Sequence, residues 1–514
     1  MHSEAEAASV RLKAASALLR PGYNCCALET AHQAAILVDA EAYFAALDAA
    51  LRKARHSIVI LAWDFDARIR LRPQDGEDTP ILGTLLRDLV EERPELEVRI
   101  LVWSLAAVHA PGASLPLVVG EEWQNHPRIH LHLDTNHPLY AAHHQKIVTV
   151  DDSLAFVGGM DLTIERWDVQ GHAAAHALRV RPDGEPYDPV HDVQAVVDGP
   201  AARAVARVAH ERWREARGEA LSLLPPVERW PDGLRPDLTG VTTAISRTAP
   251  RYGARRPVKE VVRLTDDLLR RARETVYIEA QYFASKRVRQ VLCEVLSRPE
   301  GPEVVVVSTR IANGVIERFI MGANRERLLR RLKRADRHNR LHVYYPVVPG
   351  LSDGHRLLVH AKVMIVDDRF LRVGSSNLNN RSVGLDTECD LTFQADGAEQ
   401  RAAVLACRDR LLAEHLAVEP AELQAAVAAE GSLAAAIDRL RRDGHGLQPM
   451  TVGPGPTHSF PGTRLLDPEG PFHFLEWLRS FFTRSGRQRR RDARAMKASE
   501  SAKDAPPSTS GSRK

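Results

Sequence analysis

Two strings in this chain have the residue types and spacing of a phosphoryl-transfer site. The first runs His144-Gln-Lys146, four residues, Asp151, six residues, Gly158-Gly159. The second runs His360-Ala-Lys362, four residues, Asp367, six residues, Gly374-Ser375-Ser376-Asn377. The spacing from His to Gly is identical, and the copies lie 216 positions apart. A neutral imidazole is a nucleophile or base, and an imidazolium is an acid. A Lys beside it adds fixed positive charge. Two His and two Lys facing one another suit a tetrahedral anion. Phosphate is the candidate, because charge on its non-bridging oxygens must be held during transfer. One His attacking and the other protonating the leaving oxygen gives a phosphohistidine, released by water or an alcohol. A single His-x-Lys would be an ordinary exposed strand pair. The duplicated string points instead to one site built from two halves. A metal centre is the rival reading in a chain with 22 His. Lys is a poor ligand, however, and no Cys cluster or H-E-x-x-H helix accompanies these positions.

The elements that must hold these residues repeat as well. His144 to Val150 and His360 to Val366 are rich in β-branched residues and read as strands. Alternation puts His144 with Lys146, and His360 with Lys362, on one face; His143 points to the other. Asp151-Asp152 and Asp367-Asp368 make turns. Ser57 to Phe65 and Thr275 to Phe283 match in pattern at an offset of 218, each after a helix-like run, Ala40 to Arg55 and Glu260 to Glu274. Apolar strands follow near Val98–Val102 and Val304–Ser308, then Ile129–Leu133 and Leu341–Tyr345. After each motif comes a strand with an acid at its start, Asp192–Val197 and Glu388–Phe393. A catalytic His needs a carboxylate to fix its tautomer and hold its cation. Asp192 and Glu388 are placed for that, or are ordinary strand-edge acids; Asp168 is a rival partner for His144. Helix–strand alternation repeated twice predicts an α/β fold. It would have two similar sandwich halves, mixed sheets flanked by helices, packed as a pseudo-dimer with one shared active site.

With these residues in place, the chain resembles the phospholipase D superfamily, the enzymes with paired His-x-Lys-x4-Asp motifs. Ala155-Phe-Val-Gly-Gly-Met-Asp-Leu162 with Glu165-Arg-Trp-Asp168 looks like the first motif of the animal and plant enzymes and their bacterial relatives. Val190-His191-Asp192-Val193 resembles the segment after it. Tyr277-Ile-Glu-Ala-Gln-Tyr-Phe283 resembles a strand of the second half, with Ala280 in place of Asn. Gly374 to Ser382 resembles the second motif's tail. The resemblance runs from about residue 22 to about 418. It implies that His144 is the nucleophile and His360 the general acid, then base. It implies that Lys146, Lys362, Asn377 and Ser375 hold phosphate oxygens, that Asp192 and Glu388 orient the His pair, and that Asp151 and Asp367 are structural. It implies no metal and no cofactor, since lysines supply the charge. Gly159 and Asp161 stand where the second copy has Ser375 and Asn377, so the halves are inequivalent at the phosphate.

By the same resemblance the expected reaction is hydrolysis of a glycerophospholipid such as phosphatidylcholine to phosphatidic acid, with water or an alcohol as acceptor. A cardiolipin synthase-type phosphatidyltransferase and a phosphodiesterase-type nuclease are the alternatives. The net charge of +3 conceals an uneven distribution. Residues 484 to 514 carry ten Lys/Arg against three acids, which leaves the remainder at −4. A slightly acidic body disfavours nucleic acid as a partner. Before the tail lies Phe472-His-Phe-Leu-Glu-Trp-Leu-Arg-Ser-Phe-Phe482, apolar and then basic, as in an interfacial helix on an anionic membrane. The competing reading is a packed helix with a solvated tail. No run of 18 apolar residues suggests a membrane span, and the start lacks the pattern of a signal peptide. Five Cys without framework spacing suit a reducing compartment. The expectation is a cytoplasmic monomer with the inner face of a membrane as its working surface. Expected divisions are a first half at 22–217, a linker at 218–257 and a second half at 258–418. A helical extension at 419–483, beginning within an Ala/Leu/Arg-rich cap around 401–445, and a basic disordered tail at 484–514 complete the chain.

Overall fold

A computed structural model describes residues 18–471, apart from 77, 105–120, 139, 311–314, 352–355, 443 and 456–466. The expected interfacial helix and basic tail lie outside the described residues. Two compact units divide at residue 470, and all that follows concerns the first.

The two expected sheets are one continuous mixed sheet. Its centre is the antiparallel pair Ala27–Val38 and Leu238–Ala249. From Ala27–Val38 outward the order is Val193–Asp198, Leu154–Gly158, Ile147–Val150, Ser57–Ala62, Glu97–Trp103, Ile129–Asp134. From Leu238–Ala249 outward it is Glu388–Gln394, Phe370–Gly374, Lys362–Val366, Thr275–Ala280, Glu303–Ser308, Leu341–Val347, with Gly446–Pro449 at the edge. The same arrangement therefore repeats on each side of the central pair. In each half the last three of the shared strands are parallel and the motif hairpin is antiparallel.

Residues 218–257 are thus more than a linker. Leu238–Ala249 bonds to both halves, and its length lets it do so without a break. The helical extension also contains a strand, Gly446–Pro449, which caps the exposed edge of Leu341–Val347. The Ala/Leu/Arg-rich segment folds as three helices, Ala398–Leu416, Pro420–Glu430 and Leu433–Leu440.

Helices cover both faces. On one, Gly199–Arg217 and Ala398–Leu416 pack over strands of both halves in a shared core that includes Val205, Trp213, Leu411 and Leu412. On the other, each half has its own core. Asp39–Leu51 and Leu82–Glu92 cover the first, and Glu260–Arg271 and Lys286–Leu296 the second. The apolar motif strands are buried on both sides, which fixes their register. Among the described residues no helix is long and apolar enough to cross a membrane. All five Cys are free thiols.

Candidate active site

The motif strands begin later than their composition suggests, at Ile147 and Lys362. The residues before them leave the sheet and cross to the other half. His144 N–H donates to the Thr387 carbonyl (3.1 Å), and His360 N–H donates to the His191 carbonyl (2.7 Å). Each acceptor is the residue just before the other half's carboxylate. The backbone therefore seats His144 beside Glu388 and His360 beside Asp192. His144 Nδ1 lies 2.9 Å from Glu388 Oε2, and His360 Nδ1 lies 2.6 Å from Asp192 Oδ2. Repeat position alone would pair each His with the acid of its own half. The partners are exchanged, so neither half can orient its His without the other. Asp168 is not a partner of His144. It accepts from His172 Nδ1 (3.0 Å), Arg179 and the Val190 N–H.

With Nδ1 engaged in each ring, Nε2 is the nitrogen left for chemistry. Both rings are nearly buried, with side chains 15% and 10% exposed.

The supports differ between halves. Ser375 Oγ, expected at the phosphate, instead donates to Glu388 Oε2, and Ser382 Oγ donates to Oε1, both at 2.6 Å. Gly159 stands at the place of Ser375, and a Cβ there would overlap Asp192 Oδ1. The short carboxylate fills the space that glycine leaves. Lys146 Nζ is 2.9 Å from Asp161 Oδ2, with the Trp63 ring 6.0 Å away. Among the described residues no carboxylate lies at ion-pair distance from Lys362: Asn377 stands at the place of Asp161. Lys362 Nζ is 3.0 Å from His360 Nδ1 and 3.5 Å from Gln281 Oε1. The buried Asn377 Oδ1 has no hydrogen-bond partner.

Asp151 and Asp367 do the same work in each half. Asp151 accepts the N–H groups of Arg55, His56 and Ser57 at 2.8–2.9 Å. Asp367 accepts those of Arg273, Glu274 and Thr275 at 2.8–3.1 Å. Each staples the motif turn to the start of the adjacent strand. Both turns place two Asp in left-handed backbone, a conformation Asp tolerates. His143 is buried apart from the reacting pair, with Nδ1 3.2 Å from Asp134.

Burial dominates the titration of the site, and the lysines add to it at the histidines. Burial, then Lys146 and Lys362, pushes His144 well below the usual imidazole range. Burial and Lys362 push His360 down to about 3, against the pull of Asp192. Burial, then Lys146 and Arg166, brings Lys362 down to about 7. Burial pushes Glu388 up to about 7, whereas His360 and Lys362 overcome burial at Asp192 and hold it at about 2. The part of this depression that comes from the lysines is what an anion bound beside the histidines would relieve.

Known proteins match this chain. A family model described as cardiolipin synthase, PLD-like domain, matches residues 266–405. Phospholipase D A of Dictyostelium discoideum is 24% identical over 418 residues, covering 70% of this chain and 32% of that protein. Bovine phospholipase D2 is 23% identical over 472 residues, covering 72% and 50%. These matches support the phospholipase D superfamily for this chain. It spans about a third to a half of the length of these two relatives. The fold agrees with that of phosphatidylserine synthase from Haemophilus influenzae Rd KW20, at TM-score 0.51 and 15% identity over 76% of this chain and 88% of that one.

Within the superfamily frame, four supporting groups were not singled out by the motifs. Trp63 and Gln281 flank the two lysines at matching places, and the offset of 218 between their strands would have found them. Arg166 contributes charge to His360 and Lys362. Asp467 accepts the N–H groups of Asn380 and Arg381 (3.1 Å each) and the Asn380 amide (2.6 Å), bracing the second motif's tail. Nothing local in its sequence signals that role.

Proposed function

We propose that this protein is a phospholipase D-type phosphodiesterase that cuts glycerophospholipids to phosphatidic acid and a free head-group alcohol. The exchanged His–carboxylate pairs, each His with the lysine of its own motif beside it, carry this reading. His144 Nε2 attacks phosphorus, the bond from phosphorus to the head-group oxygen breaks, and His360 Nε2 delivers its proton to that oxygen. The product on the enzyme is a phosphatidyl-His144. His360 then takes a proton from water, whose oxygen attacks phosphorus and breaks the P–N bond. An alcohol in place of water gives transphosphatidylation.

In this scheme the substrate restores the acid. One negative charge about 4 Å away is worth about 4 kcal/mol at an effective dielectric of 20. That offsets most of the depression of His360 and returns it to a range in which it can hold a proton. Asp192, firmly anionic, favours the imidazolium on His360. Glu388, less readily ionised, leaves His144 neutral. The assignment of His144 as nucleophile and His360 as acid agrees with this difference.

A phosphatidyltransferase of the cardiolipin synthase kind is the second reading, favoured by the description of the family model matching residues 266–405. Both use one intermediate and differ in the acceptor. Vesicles of phosphatidylcholine, phosphatidylethanolamine or phosphatidylglycerol, with and without ethanol, separate them. Head-group release with phosphatidic acid supports the hydrolase. Cardiolipin from phosphatidylglycerol without phosphatidic acid would replace it with the synthase, and turnover of DNA but no lipid would overturn both.

A further inference from the structure

Behind the His360 side of the site lies a second cluster that the reaction does not use. Asp39, His172, His191 and Glu414 converge so that one donor atom from each lies within 4.8 Å of the others. Asp39 begins the helix Asp39–Leu51, and His172 follows the first motif. His191 precedes Asp192, and Glu414 lies in the last turn of Ala398–Leu416. Their side chains are 0–4% exposed. Asp39 Oδ2, His172 Nε2, His191 Nδ1 and Glu414 Oε1 are buried and lie against one another at 3.0–3.9 Å, cut off from water. Carboxylates held this deep need positive charge beside them, from protons on the imidazoles or from a bound cation. A buried carboxylate in the last turn of a helix is also opposed by the helix dipole unless a cation faces it.

We infer that Asp39, His172, His191 and Glu414 form a buried four-coordinate site for a divalent transition cation, zinc in the first instance. His172 Nε2 lies 3.0 Å from Glu414 Oε1 and 3.5 Å from Asp39 Oδ2. His191 Nδ1 lies 3.2 Å from Asp39 Oδ1 and 3.9 Å from Glu414 Oε1. Tetrahedral ligands at zinc bond lengths sit about 3.3 Å apart; these spacings, which use both Asp39 oxygens, lie around that value, and one donor from each residue gathers within 4.8 Å. The far nitrogen of each His is held by an outer carboxylate. His172 Nδ1 is 3.0 Å from Asp168 Oδ2, and His191 Nε2 is 2.9 Å from Glu279 Oε2. A carboxylate behind each ligating imidazole is the usual outer shell of a metal-bound His. Two carboxylates and two neutral imidazoles balance the charge of a divalent ion. The donor set has too few oxygens for calcium, which takes six to eight.

Such an ion would be structural. His191 accepts the His360 N–H through its carbonyl, and Asp39 N–H donates to the Asp192 carbonyl (2.9 Å). Glu414 comes from the second half and the other three ligands from the first. The ion would clamp the segment that presents Asp192 to His360.

The test uses the full chain stripped with a chelator, exposed to zinc chloride and desalted. Wild type is expected to retain about one zinc per chain by elemental analysis, and its melting temperature is expected to fall when the chelator is added. Glu414→Gln and His172→Ala, folded by circular dichroism, are expected to lose the retained zinc, whereas His144→Asn keeps it. Should the variants fail to fold, X-ray absorption at the zinc edge of wild type decides. Four N/O neighbours including two imidazoles support the site. Wild type that retains no zinc, manganese or iron, variants that retain as much as wild type, or a spectrum without imidazole would each overturn it and leave a proton-bridged network.

Discussion

The two halves of the site share a plan and differ in what surrounds each reacting group. In the first half Lys146 has a counterion, Asp161, and its turn leaves room through Gly159. In the second, Lys362 lies beside Gln281 with no carboxylate at ion-pair distance among the described residues, and Ser375 supplies a hydroxyl. Because the carboxylates are exchanged, Ser375 acts on His144 through Glu388, and Gly159 acts on His360 through Asp192. A duplicated scaffold thus yields two unlike histidines. The difference lies in the partners that each half lends the other, and each prediction below breaks or sharpens it.

The largest effect comes from the histidines themselves. His144→Asn is expected to lower turnover by at least about a thousandfold and to abolish the covalent phosphoenzyme. His360→Asn removes the acid and base, a loss of about a hundred- to ten-thousandfold. It still permits slow attack on an activated ester with a good leaving group, and it lets the intermediate accumulate. Mass spectrometry of quenched protein locates the phosphate. Finding it on His360 would reverse the two roles.

Next in size is exchange of the supports. Gly159→Ser places a Cβ against Asp192 Oδ1 and should displace the partner of His360, at a cost of about tenfold to a hundredfold in kcat. Ser375→Gly removes one hydroxyl from Glu388, which keeps Ser382, and should cost about fivefold. Equal losses in steady-state assays would mean that the halves tolerate each other's residues and that the asymmetry is idle.

The pH profile is subtler. His144 lies well below the ordinary imidazole range, so the proposed nucleophile stays neutral as pH falls through 6.5. Lys362, brought down to about 7, is charged below that pH and loses its proton above it. In the free enzyme His360 has lost its proton above about 3 and must take one up with the substrate, so kcat/KM should fall as pH rises through the neutral range and fall more steeply above about 7, where Lys362 also loses its charge. Lys362→Arg cannot lose its charge in this range. It should lower kcat/KM and remove the steepening near 7. A steepening unchanged in that variant would remove Lys362 as its source.

Much of this was legible in the chain because it repeats. The paired motifs singled out both histidines, both lysines and both acids, and the matched strands singled out the elements that recur in each half. The exchange of carboxylates was not legible, because repeat position is local information and the exchange depends on how two surfaces meet. His144 and His360 leave their strands early for that reason: their backbone is needed across the interface. Leu238–Ala249 was hidden by the polar and Pro-rich sequence around it, although Val241, Ala244 and Ile245 are buried. Asp467 carries no periodic signal at all, since its use depends on a chain segment returning from far away.

The smallest predicted effect on chemistry, and the clearest on stability, concerns the turn aspartates. Asp151 and Asp367 accept three backbone N–H groups each, so position alone predicts equal value. Their settings are unequal. Asp151 is fully buried and also receives Arg229 Nε at 2.7 Å. The bonds to Asp367 are largely solvent-exposed. Hydrogen bonds to a charged group matter more where water cannot replace them. Asp151→Ala leaves an Arg and three N–H groups unsatisfied and should cost about 3 kcal/mol, against about 1 kcal/mol for Asp367→Ala. Chemical denaturation of the two variants measures the gap. Equal losses would show that burial adds nothing to the staple and that the first half is no more tightly held than the second.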